Sequence, residues 1–374
     1  MLFNVCALYI KIMNNENQTI HKSDDNLTIY GWNEKLNQLK QESIYSTLAH
    51  GRVSIVHRTC YEVISGNGLF QCELTGNMMY GKSDDELPCT GDWVIFQPFD
   101  EHKGIIVDRL PRERTLYRKK SGTVADKQAI ASYVDKAFIV QSLDDNFNVR
   151  RVERFMVQIM EENISSVLVL NKADLDFDRQ SVEEQIKHIS SQIPVFFTSI
   201  HQLETIVRLR KSISEGETVV FVGSSGVGKS SLVNALCEKS VLLTSDISLS
   251  TGKGRHTSTR REMVLMDGSG VLIDTPGVRE FGLAIDDPDS LAEVLEISDY
   301  AASCHFKDCK HINEPGCAVL EAVSSGVLDR KVYESYLKLR REAWHFSTSE
   351  YEKRKRDKSF SKLVDEVKKR KANR

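Results

Sequence analysis

The stretch Gly223–Ser230, with the sequence GSSGVGKS, restricts the fold of this chain more than any other feature. It fits the pattern GxxxxGK[ST], in which glycines let the backbone wrap closely around phosphate groups and the start of the following helix favours an anion. The apolar run at 218–223 predicts a strand before it, and a helix is predicted over 229–237. A loop of this kind between a strand and a helix indicates an α/β domain that binds a nucleoside triphosphate.

The side chains around this loop are suited to hold phosphates and Mg²⁺. We predict that Lys229 bridges the β- and γ-phosphates and that Ser230 ligates Mg²⁺. A second motif, DTPG at 274–277, follows another predicted strand. Asp274 is expected to hold Mg²⁺ through a water molecule, while the N–H of Gly277 faces the γ-phosphate.

A third motif selects the base. Asn171, Lys172 and Asp174 belong to the sequence NKAD, directly after a predicted buried strand at 166–170. A carboxylate there can accept hydrogen bonds from N1 and the 2-amino group of guanine, and adenine offers no such pair of donors. We expect Asn171 to support the base and its loop, and the stem of Lys172 to cover the face of the base. Alone the motif is weak, but beside a phosphate loop it predicts a guanine nucleotide, which the turn at 198–200 could also contact.

Hydrolysis of the triphosphate requires a group that orients the attacking water. The position directly after the DTPG motif, where such a group is often found, holds Val278. Many GTPases carry glutamine there, whereas valine cannot polarise water, so we predict slow intrinsic hydrolysis. His256, in the loop at 251–259, is the candidate for orienting the water. The alternative for this histidine is a solvent-exposed or RNA-contacting role. In the same loop, Thr257 or Thr259 could meet Mg²⁺ when a triphosphate is bound.

The order of the three motifs is unusual. In common GTPases the phosphate loop comes first and NKxD follows DxxG. Here the guanine motif starts at 171, the phosphate loop at 223 and DxxG at 274. The order predicts a circularly permuted GTPase domain. The loop after Asp274 then leads towards the C-terminal region, so a γ-phosphate that orders this loop could reposition the next domain.

Strand and helix patterns alternate through the middle of the chain, which predicts a mostly parallel sheet with helices on both faces. Besides the segments already given, strands are expected at 136–143, 193–199, 262–267 and 271–274, and helices around 152–160, 181–191 and 202–213.

The segment before this region reads as strands alone. Short β-branched and aromatic runs at 52–64, 69–76, 92–99 and 104–110 are separated by turn residues. They predict a small barrel. An OB-fold is the natural candidate because it offers a groove for oligonucleotides, although the pattern does not separate it from an SH3-like barrel.

A compact group of metal-binding side chains lies near the C-terminus. Cys304, Cys309, His311 and Cys317 provide three thiols and one imidazole within fourteen residues. This is a complete tetrahedral Cys₃His set, the composition of a structural zinc site with no position left for a catalytic water. His305 is a possible competitor, but its adjacency to Cys304 makes simultaneous ligation awkward.

Composition and charge limit the remaining classes. The chain is 40% hydrophobic and 28% charged, which excludes a mostly disordered or fibrous chain, and no apolar run is long enough for a transmembrane helix. The apolar residues 1–13 lack the marks of a signal peptide, and the other five cysteines are scattered, so a cytoplasmic location is expected. Residues 330–374 hold 16 basic and 7 acidic side chains, which suggests an anionic partner, or simply a solvated charged helix.

The barrel, the permuted motifs and the cysteine cluster together resemble the family of ribosome small-subunit-dependent GTPases called RsgA, YjeQ or YloQ. The resemblance covers roughly residues 32–345 and is carried by HRTCYEVI, GDWV, LPRERTLYRK, FNVRRVERF, NKADL, GSSGVGKSSLVNAL, GKGRHTSTR, DTPGVREFGL and CHFKDCKHINEPGC. The chain differs from the family in its N-terminal extension and in the sequence GKGRHTST, where the family often has GRGRHTTT.

The resemblance implies a multidomain protein. Its parts are an N-terminal extension (1–31), expected to be poorly ordered, an OB-fold RNA-binding domain (32–115), a circularly permuted P-loop GTPase domain (116–284) and a mostly α-helical zinc-binding domain with a basic tail (285–374). It also implies a late assembly factor of the 30S subunit that contacts 16S rRNA, with hydrolysis of GTP to GDP stimulated by that subunit. Nothing in the sequence suggests obligate assembly, so a monomer is expected.

By the same resemblance, specific residues receive roles. The phosphate loop extends over Gly223, Ser224, Ser225, Gly226, Val227, Gly228, Lys229, Ser230 and Ser231. The other matches to the family are residues already identified. They are the guanine motif, the four metal ligands and His256, which corresponds to the family's switch-loop histidine. His256, Lys229 and Thr257 are the residues assigned to catalysis, with Ser230, Thr257 and Asp274 around Mg²⁺.

Two other functions compete with this interpretation. One is an RNA-binding module whose GTP site only gates affinity, with little turnover; the intact Lys229, Ser230 and Asp274 argue against it. The other is a P-loop kinase or ATPase, against which Asp174 argues.

Overall fold

The structure is a computed structural model of the 374-residue chain. It describes residues 25–79, 85–119, 127–237, 262–266, 268–274, 291–292 and 295–347.

The N-terminal half contains a closed β-barrel, as the strand pattern predicts. Its five strands are β1 (Ala49–Val56), β2 (Tyr61–Ser65), β3 (Gly68–Leu74), β4 (Trp93–Asp100) and β5 (Lys103–Arg109). They pair in the order β1-β2-β3-β5-β4, and an antiparallel pairing of β4 with β1 closes the barrel. Only the pairing of β3 with β5 is parallel.

The strand expected over 52–64 is wrong in one respect, because it is two strands joined by a turn. The N–H of His57 donates to the carbonyl of Cys60 at 2.9 Å, which folds the run into the β1–β2 hairpin. A short antiparallel hairpin that the sequence pattern did not predict, β6 (Leu116–Lys119) with β7 (Lys127–Ala131), follows the barrel.

The central region forms the predicted parallel sheet. Its strands are β8 (Lys136–Ser142), β9 (Ser165–Asn171), β10 (Val195–Thr198), β11 (Thr218–Val222), β12 (Glu262–Leu265) and β13 (Val271–Asp274). Their order is β10-β9-β8-β11-β13-β12, and β12 alone runs antiparallel to its neighbour. Strands β8 and β11 are buried along almost their whole length, as expected for a sheet covered on both faces.

Helices pack around the barrel and the central strands, which the antiparallel pairing of β1 with β12 links into one sheet. In chain order they are α1 (Asp25–Thr28), α2 (Glu34–Glu42), α3 (Gly76–Met79), α4 (Val149–Glu161), α5 (Arg179–Gln185), α6 (Lys187–Ser190), α7 (Leu203–Lys211), α8 (Lys229–Cys237), α9 (Ser298–Ala301), α10 (Ala318–Ser324) and α11 (Arg330–Ser347). The helix expected over 181–191 is divided into α5 and α6, since buried Ile186 has backbone angles (φ −97°, ψ 7°) away from helical values.

The helices cover opposite faces of the parallel sheet. Ile206 of α7 and Leu232 of α8 pack against one face. Met156 of α4 packs against the other, in the same core cluster as Val319 of α10 and Leu339 of α11. The C-terminal helices therefore share a hydrophobic core with the nucleotide-binding region that the sequence predicted.

The barrel and the parallel sheet are joined by a buried arginine. Arg52 of β1 is 1% exposed and donates to the Thr218 hydroxyl at 2.8 Å and to the carbonyl of Gly91 at 2.9 Å. Burial lowers the pKa of Arg52 to about 10. A buried guanidinium needs such partners, so these bonds make the contact between barrel and sheet specific.

Residues 25–31, which belong to the predicted N-terminal extension, contact this core. Leu27 is 1% exposed and packs with Trp32 and Trp93. Among the described helices, none has the length and apolarity needed to cross a bilayer.

Candidate functional site

The predicted nucleotide motifs meet at one edge of the parallel sheet. Strands β8, β9, β11 and β13 run parallel, so their carboxyl ends lie side by side, as at the ligand-binding crevice of open α/β sheets. Asn171 ends β9 and Asp274 ends β13, while Gly223 follows β11 directly. The sheet thus brings together the first residues of three motifs, Asn171, Gly223 and Asp274, which are separated by about fifty residues each in the sequence.

The phosphate loop has the backbone that its glycines allow. Gly223 has φ +149° and Gly228 has φ +91°, values that favour glycine. A Cβ on Gly223 would lie 2.4 Å from the carbonyl oxygen of Val140, and one on Gly228 would lie 2.3 Å from Nδ2 of Asn171. Both positions need glycine because the neighbouring strands approach the loop closely.

Lys229 is directed into the loop. Its Nζ donates to the carbonyl oxygens of Gly223 and Ser224, each at 2.7 Å. Ser225 and Gly226 are exposed at the tip of the loop, and Ser230 and Ser231 lie half-buried in the first turn of α8, with Val227 buried beneath them. A cation inside a ring of backbone groups at a helix start is suited to bind phosphate.

Asn171 connects the guanine motif to the phosphate loop. It is 3% exposed, and its Nδ2 donates to the carbonyl of Val227 at 2.9 Å. Its Oδ1 accepts from the hydroxyl of Thr198 at 3.2 Å. The amide side chain therefore links the ends of β9 and β10 to the loop after β11.

Asp174 lies at the surface beside the turn after β10. The hydroxyl of Ser199 donates to Oδ1 of Asp174 at 2.5 Å, and this bond is the main reason that the pKa of Asp174 lies below its usual value. The turn is itself held by the N–H of Ser199, which donates to the Thr205 hydroxyl at 3.0 Å. An exposed, ionised carboxylate with one oxygen already engaged is suited to accept bonds from a base.

Lys172 has a partner that the sequence analysis missed. Its Nζ lies 2.7 Å from Oδ2 of Asp144, just beyond β8. Although partial burial opposes ionisation, hydrogen bonds from Lys172 and Ser142 lower the pKa of Asp144. The parallel pairing of β8 and β9 sets Ser142 beside Asn171, and this register, which the sequence pattern does not contain, brings the two side chains together.

Other predicted site residues lie outside the described residues. These are His256, Thr257, Thr259, Gly277 and Val278. Asp274 is described, half-buried at the carboxyl end of β13.

The predicted metal ligands converge in the C-terminal region. Cys304, Cys309, His311 and Cys317 offer one ligand atom each, and these four atoms lie within 4.8 Å of one another. The two sulfurs of Cys304 and Cys317 are 3.9 Å apart, and each lies 3.5 Å from Nδ1 of His311. His305 is not in this group; its ring packs against Phe306 at 4.7 Å.

The surroundings hold these ligands in place. The hydroxyl of Tyr333 on α11 donates to the carbonyl of His311 at 2.6 Å. Burial lowers the pKa of His311, which favours the neutral imidazole that binds metals. Partial burial opposes ionisation of Cys304, but hydrogen bonds from the backbone N–H groups of Val319 and Ala318 at the start of α10 lower the pKa of its thiol.

A carboxylate joins the C-terminal region to helices that cover the central sheet. Glu153 of α4 is 3% exposed; its Oε2 accepts a hydrogen bond from the Ser335 hydroxyl of α11, and its Oε1 lies 3.0 Å from Nε2 of His188 on α6. No sequence motif pointed to this contact.

Comparisons with known proteins agree with this arrangement. Residues 109–284 match the family model described as RsgA GTPase. A protein of Bacteroides thetaiotaomicron named small ribosomal subunit biogenesis GTPase RsgA 1 is 75% identical over 361 residues, which cover 96% of this chain and 100% of that protein. The small ribosomal subunit biogenesis GTPase RsgA of Methanosarcina acetivorans is 38% identical over 338 residues, covering 87% of this chain and 89% of that protein.

Two solved structures have the same fold. YjeQ from Thermotoga maritima superposes with a TM-score of 0.61 at 26% identity, covering 79% of this chain and 98% of that one. YloQ, described as a circularly permuted GTPase, superposes with a TM-score of 0.60 at 22% identity, covering 82% of this chain and 99% of that one.

Proposed function

The chain belongs to the RsgA GTPase family, and we propose from this membership and from its site that it hydrolyses GTP in the biogenesis of the small ribosomal subunit. The observation that carries the proposal is the bond from Asn171 to the carbonyl of Val227, since it unites a guanine motif with a phosphate loop. The permuted order of these motifs is that of a circularly permuted GTPase.

Guanine selection is assigned to Asn171, Lys172 and Asp174. The phosphates of GTP or GDP are assigned to the loop from Gly223 to Ser231, with Lys229 neutralising charge on the β- and γ-phosphates. Ser230, Thr257 and Asp274 are the residues that would hold Mg²⁺, Asp274 through water, and the N–H of Gly277 would face the γ-phosphate. The metal supplies charge neutralisation of the phosphates when it is bound.

The C-terminal cluster suits zinc. Zinc bound tetrahedrally, with Zn–S near 2.3 Å and Zn–N near 2.0 Å, places two sulfurs about 3.8 Å apart and sulfur and nitrogen about 3.5 Å apart. The distances of 3.9 Å and 3.5 Å in this cluster agree with those values. All four positions are protein ligands, so we assign the metal a structural role.

We propose that the small ribosomal subunit stimulates the hydrolysis of GTP. His256 is the residue proposed to orient the attacking water, with Lys229 and Thr257 stabilising charge as it develops on the phosphates. Val278 cannot take the place of a glutamine, which supports a slow rate without a partner.

The partner proposed is the 30S subunit, contacted through 16S rRNA at a late stage of its maturation. The closed five-stranded barrel, with a single parallel pairing between β3 and β5, supports an OB-fold RNA-binding domain over 32–115. The GTPase domain is placed at 116–284 and the zinc-binding helical domain at 285–374, behind an extension at 1–31. We expect a monomer that acts in the cytoplasm.

The test is GTP hydrolysis by the purified protein alone, with 30S subunits and with 50S subunits. We expect a slow basal rate that rises strongly with 30S and not with 50S. A rate that does not respond to 30S, with GTP still bound, would move the search to another RNA or protein partner. Measurable GTP binding with no turnover even on 30S would instead favour an RNA-binding module gated by GTP.

His256→Ala separates binding from catalysis in the same assay. We expect the variant to keep its GTP affinity and to lose most of the 30S-stimulated rate, because general acid–base or water-positioning groups contribute about 10²–10⁴-fold. A stimulated rate equal to that of the unmodified protein would remove His256 from catalysis.

A further inference from the structure

The ends of β8 and β9 form a rigid unit beneath the guanine motif. Ser142 pairs with Asn171 in the parallel register, and the N–H of Leu143 donates to the carbonyl of Asn171 at 2.9 Å. Asp144 follows one strand and Lys172 follows the other, so the pairing of the strands sets the two side chains next to each other.

Two hydrogen bonds that do not involve Lys172 orient the carboxylate of Asp144. Its Oδ1 accepts from the Ser142 hydroxyl at 2.6 Å and from the N–H of Asn146 at 3.0 Å. Its Oδ2 accepts from Nζ of Lys172 at 2.7 Å. One oxygen therefore fixes the carboxylate, and the other is directed at the ammonium group.

Lys172 is held at both ends. Its backbone lies in the left-handed region with φ +62°, and its carbonyl accepts from the N–H of Leu175 at 3.1 Å. Its ammonium group is held by Asp144. A lysine ordinarily loses much rotamer freedom when it is ordered by a ligand, so a stem that is ordered beforehand lowers the cost of binding.

We propose that Asp144 is a positioning residue of the nucleotide site, which fixes the ammonium group of Lys172 so that the lysine stem forms a preformed wall for the guanine base. The inference rests on the proposed function, because it requires a base bound by the motif at 171–174. The base is common to GDP and GTP, so both should lose affinity equally when Asp144 is changed. Selectivity between guanine and xanthine, which belongs to Asp174, should stay unchanged.

The test compares Asp144→Asn with Asp145→Asn in titrations with fluorescent GDP and a fluorescent non-hydrolysable GTP analogue. The side-chain oxygen of an asparagine at 144 can still accept from Ser142 and Asn146, but its amide nitrogen, which replaces Oδ2, cannot accept from Lys172. Asp145 is exposed, and its replacement removes the same charge one residue away. We expect Asp144→Asn to weaken both nucleotides by about threefold to tenfold, as for a partly exposed charge-assisted bond, and Asp145→Asn to leave them unchanged.

A double-mutant cycle with Lys172→Met distinguishes positioning from a general structural role. If Asp144 acts through Lys172, Lys172→Met costs less affinity in the Asp144→Asn background than in the unmodified protein. Equal costs in both backgrounds, or an Asp144→Asn variant that binds GDP as the unmodified protein does, would overturn the proposal. Failure of the proposed function gives a different result, namely an unmodified protein that binds neither nucleotide or prefers ATP.

Discussion

The side-chain amide of Asn171 donates a hydrogen bond of 2.9 Å to the backbone carbonyl of Val227, 56 residues further along the chain. The same side chain accepts from Thr198, so the segments proposed to bind the base and the phosphates share one buried amide. In this permuted chain, the contact restores in space the site that the order of the motifs separates.

Asn171→Ala should weaken GDP and GTP binding by tenfold or more, because loss of a buried amide leaves its partners unpaired at a cost of about 1–3 kcal/mol. Fluorescent GDP titration measures the affinity, and urea unfolding measures the accompanying loss of stability. Asn37→Ala, on a helix that contributes no residue to the site, is the control. An unchanged dissociation constant would show that the bond does not support nucleotide binding.

Gly228→Ala should abolish nucleotide binding, whereas Gly226→Ala should be tolerated better. Both glycines have positive φ, +91° and +83°, so each alanine introduces backbone strain of about 1 kcal/mol. A Cβ at 228 lies 2.3 Å from Nδ2 of Asn171, but a Cβ at 226 has nothing within 4 Å. Parallel GDP titrations of the two variants measure the difference in affinity. Similar losses of affinity in both would mean that backbone strain, rather than the contact of the Cβ with Asn171, causes the loss.

Asp174→Asn should shift preference from GTP towards xanthosine triphosphate, since the amide can donate to the 2-oxo group that replaces the amino group. Competition titrations with the two nucleotides measure the ratio of their affinities, and unchanged GTP affinity would refute the base-reading role.

The depressed pKa of Asp174 keeps its carboxylate ionised as the pH falls. Ser199→Ala removes the main cause of this shift, so it should raise the pKa and make GTP preference disappear at a higher pH than in the unmodified protein.

Cys309→Ser should release one zinc ion per chain and loosen the C-terminal helices, because a structural zinc site contributes directly to folding. Metal analysis and thermal unfolding, with and without a chelator, measure the effect. Cys60→Ser changes a thiol outside the cluster and should retain the zinc. A folded Cys309→Ser protein with full metal content would remove Cys309 from the ligand set.

Ser335→Ala should loosen the packing of α11 against α4. The Ser335 hydroxyl donates to the buried Glu153 carboxylate, and loss of a donor to a buried charged group costs about 1.5–3 kcal/mol. Hydrogen exchange should become faster in α11 while α8 is unaffected. Ser324→Ala, which removes a hydroxyl bonded within its own helix α10, should leave the exchange of α11 unchanged.

Much of this protein follows from local patterns. Three features can be identified in the sequence because their spacing is short and their chemistry requires those residue types. They are the loop at 223–230, the NKAD motif at 171–174 and the predicted metal ligands between Cys304 and Cys317. The parallel sheet was predictable as well, since buried strands alternate with helices. The order of the three nucleotide motifs along the chain was sufficient to predict the circular permutation.

The tertiary structure decided which distant polar groups meet. Asp144, Glu153 and Ser335 look like ordinary polar residues in the sequence, because nothing in their local pattern identifies a partner. Asp144 meets Lys172 only because β8 and β9 pair in parallel, and Glu153 meets Ser335 only because α11 packs against α4. Such contacts depend on strand register and helix packing between distant segments, and local periodicity does not encode either of them.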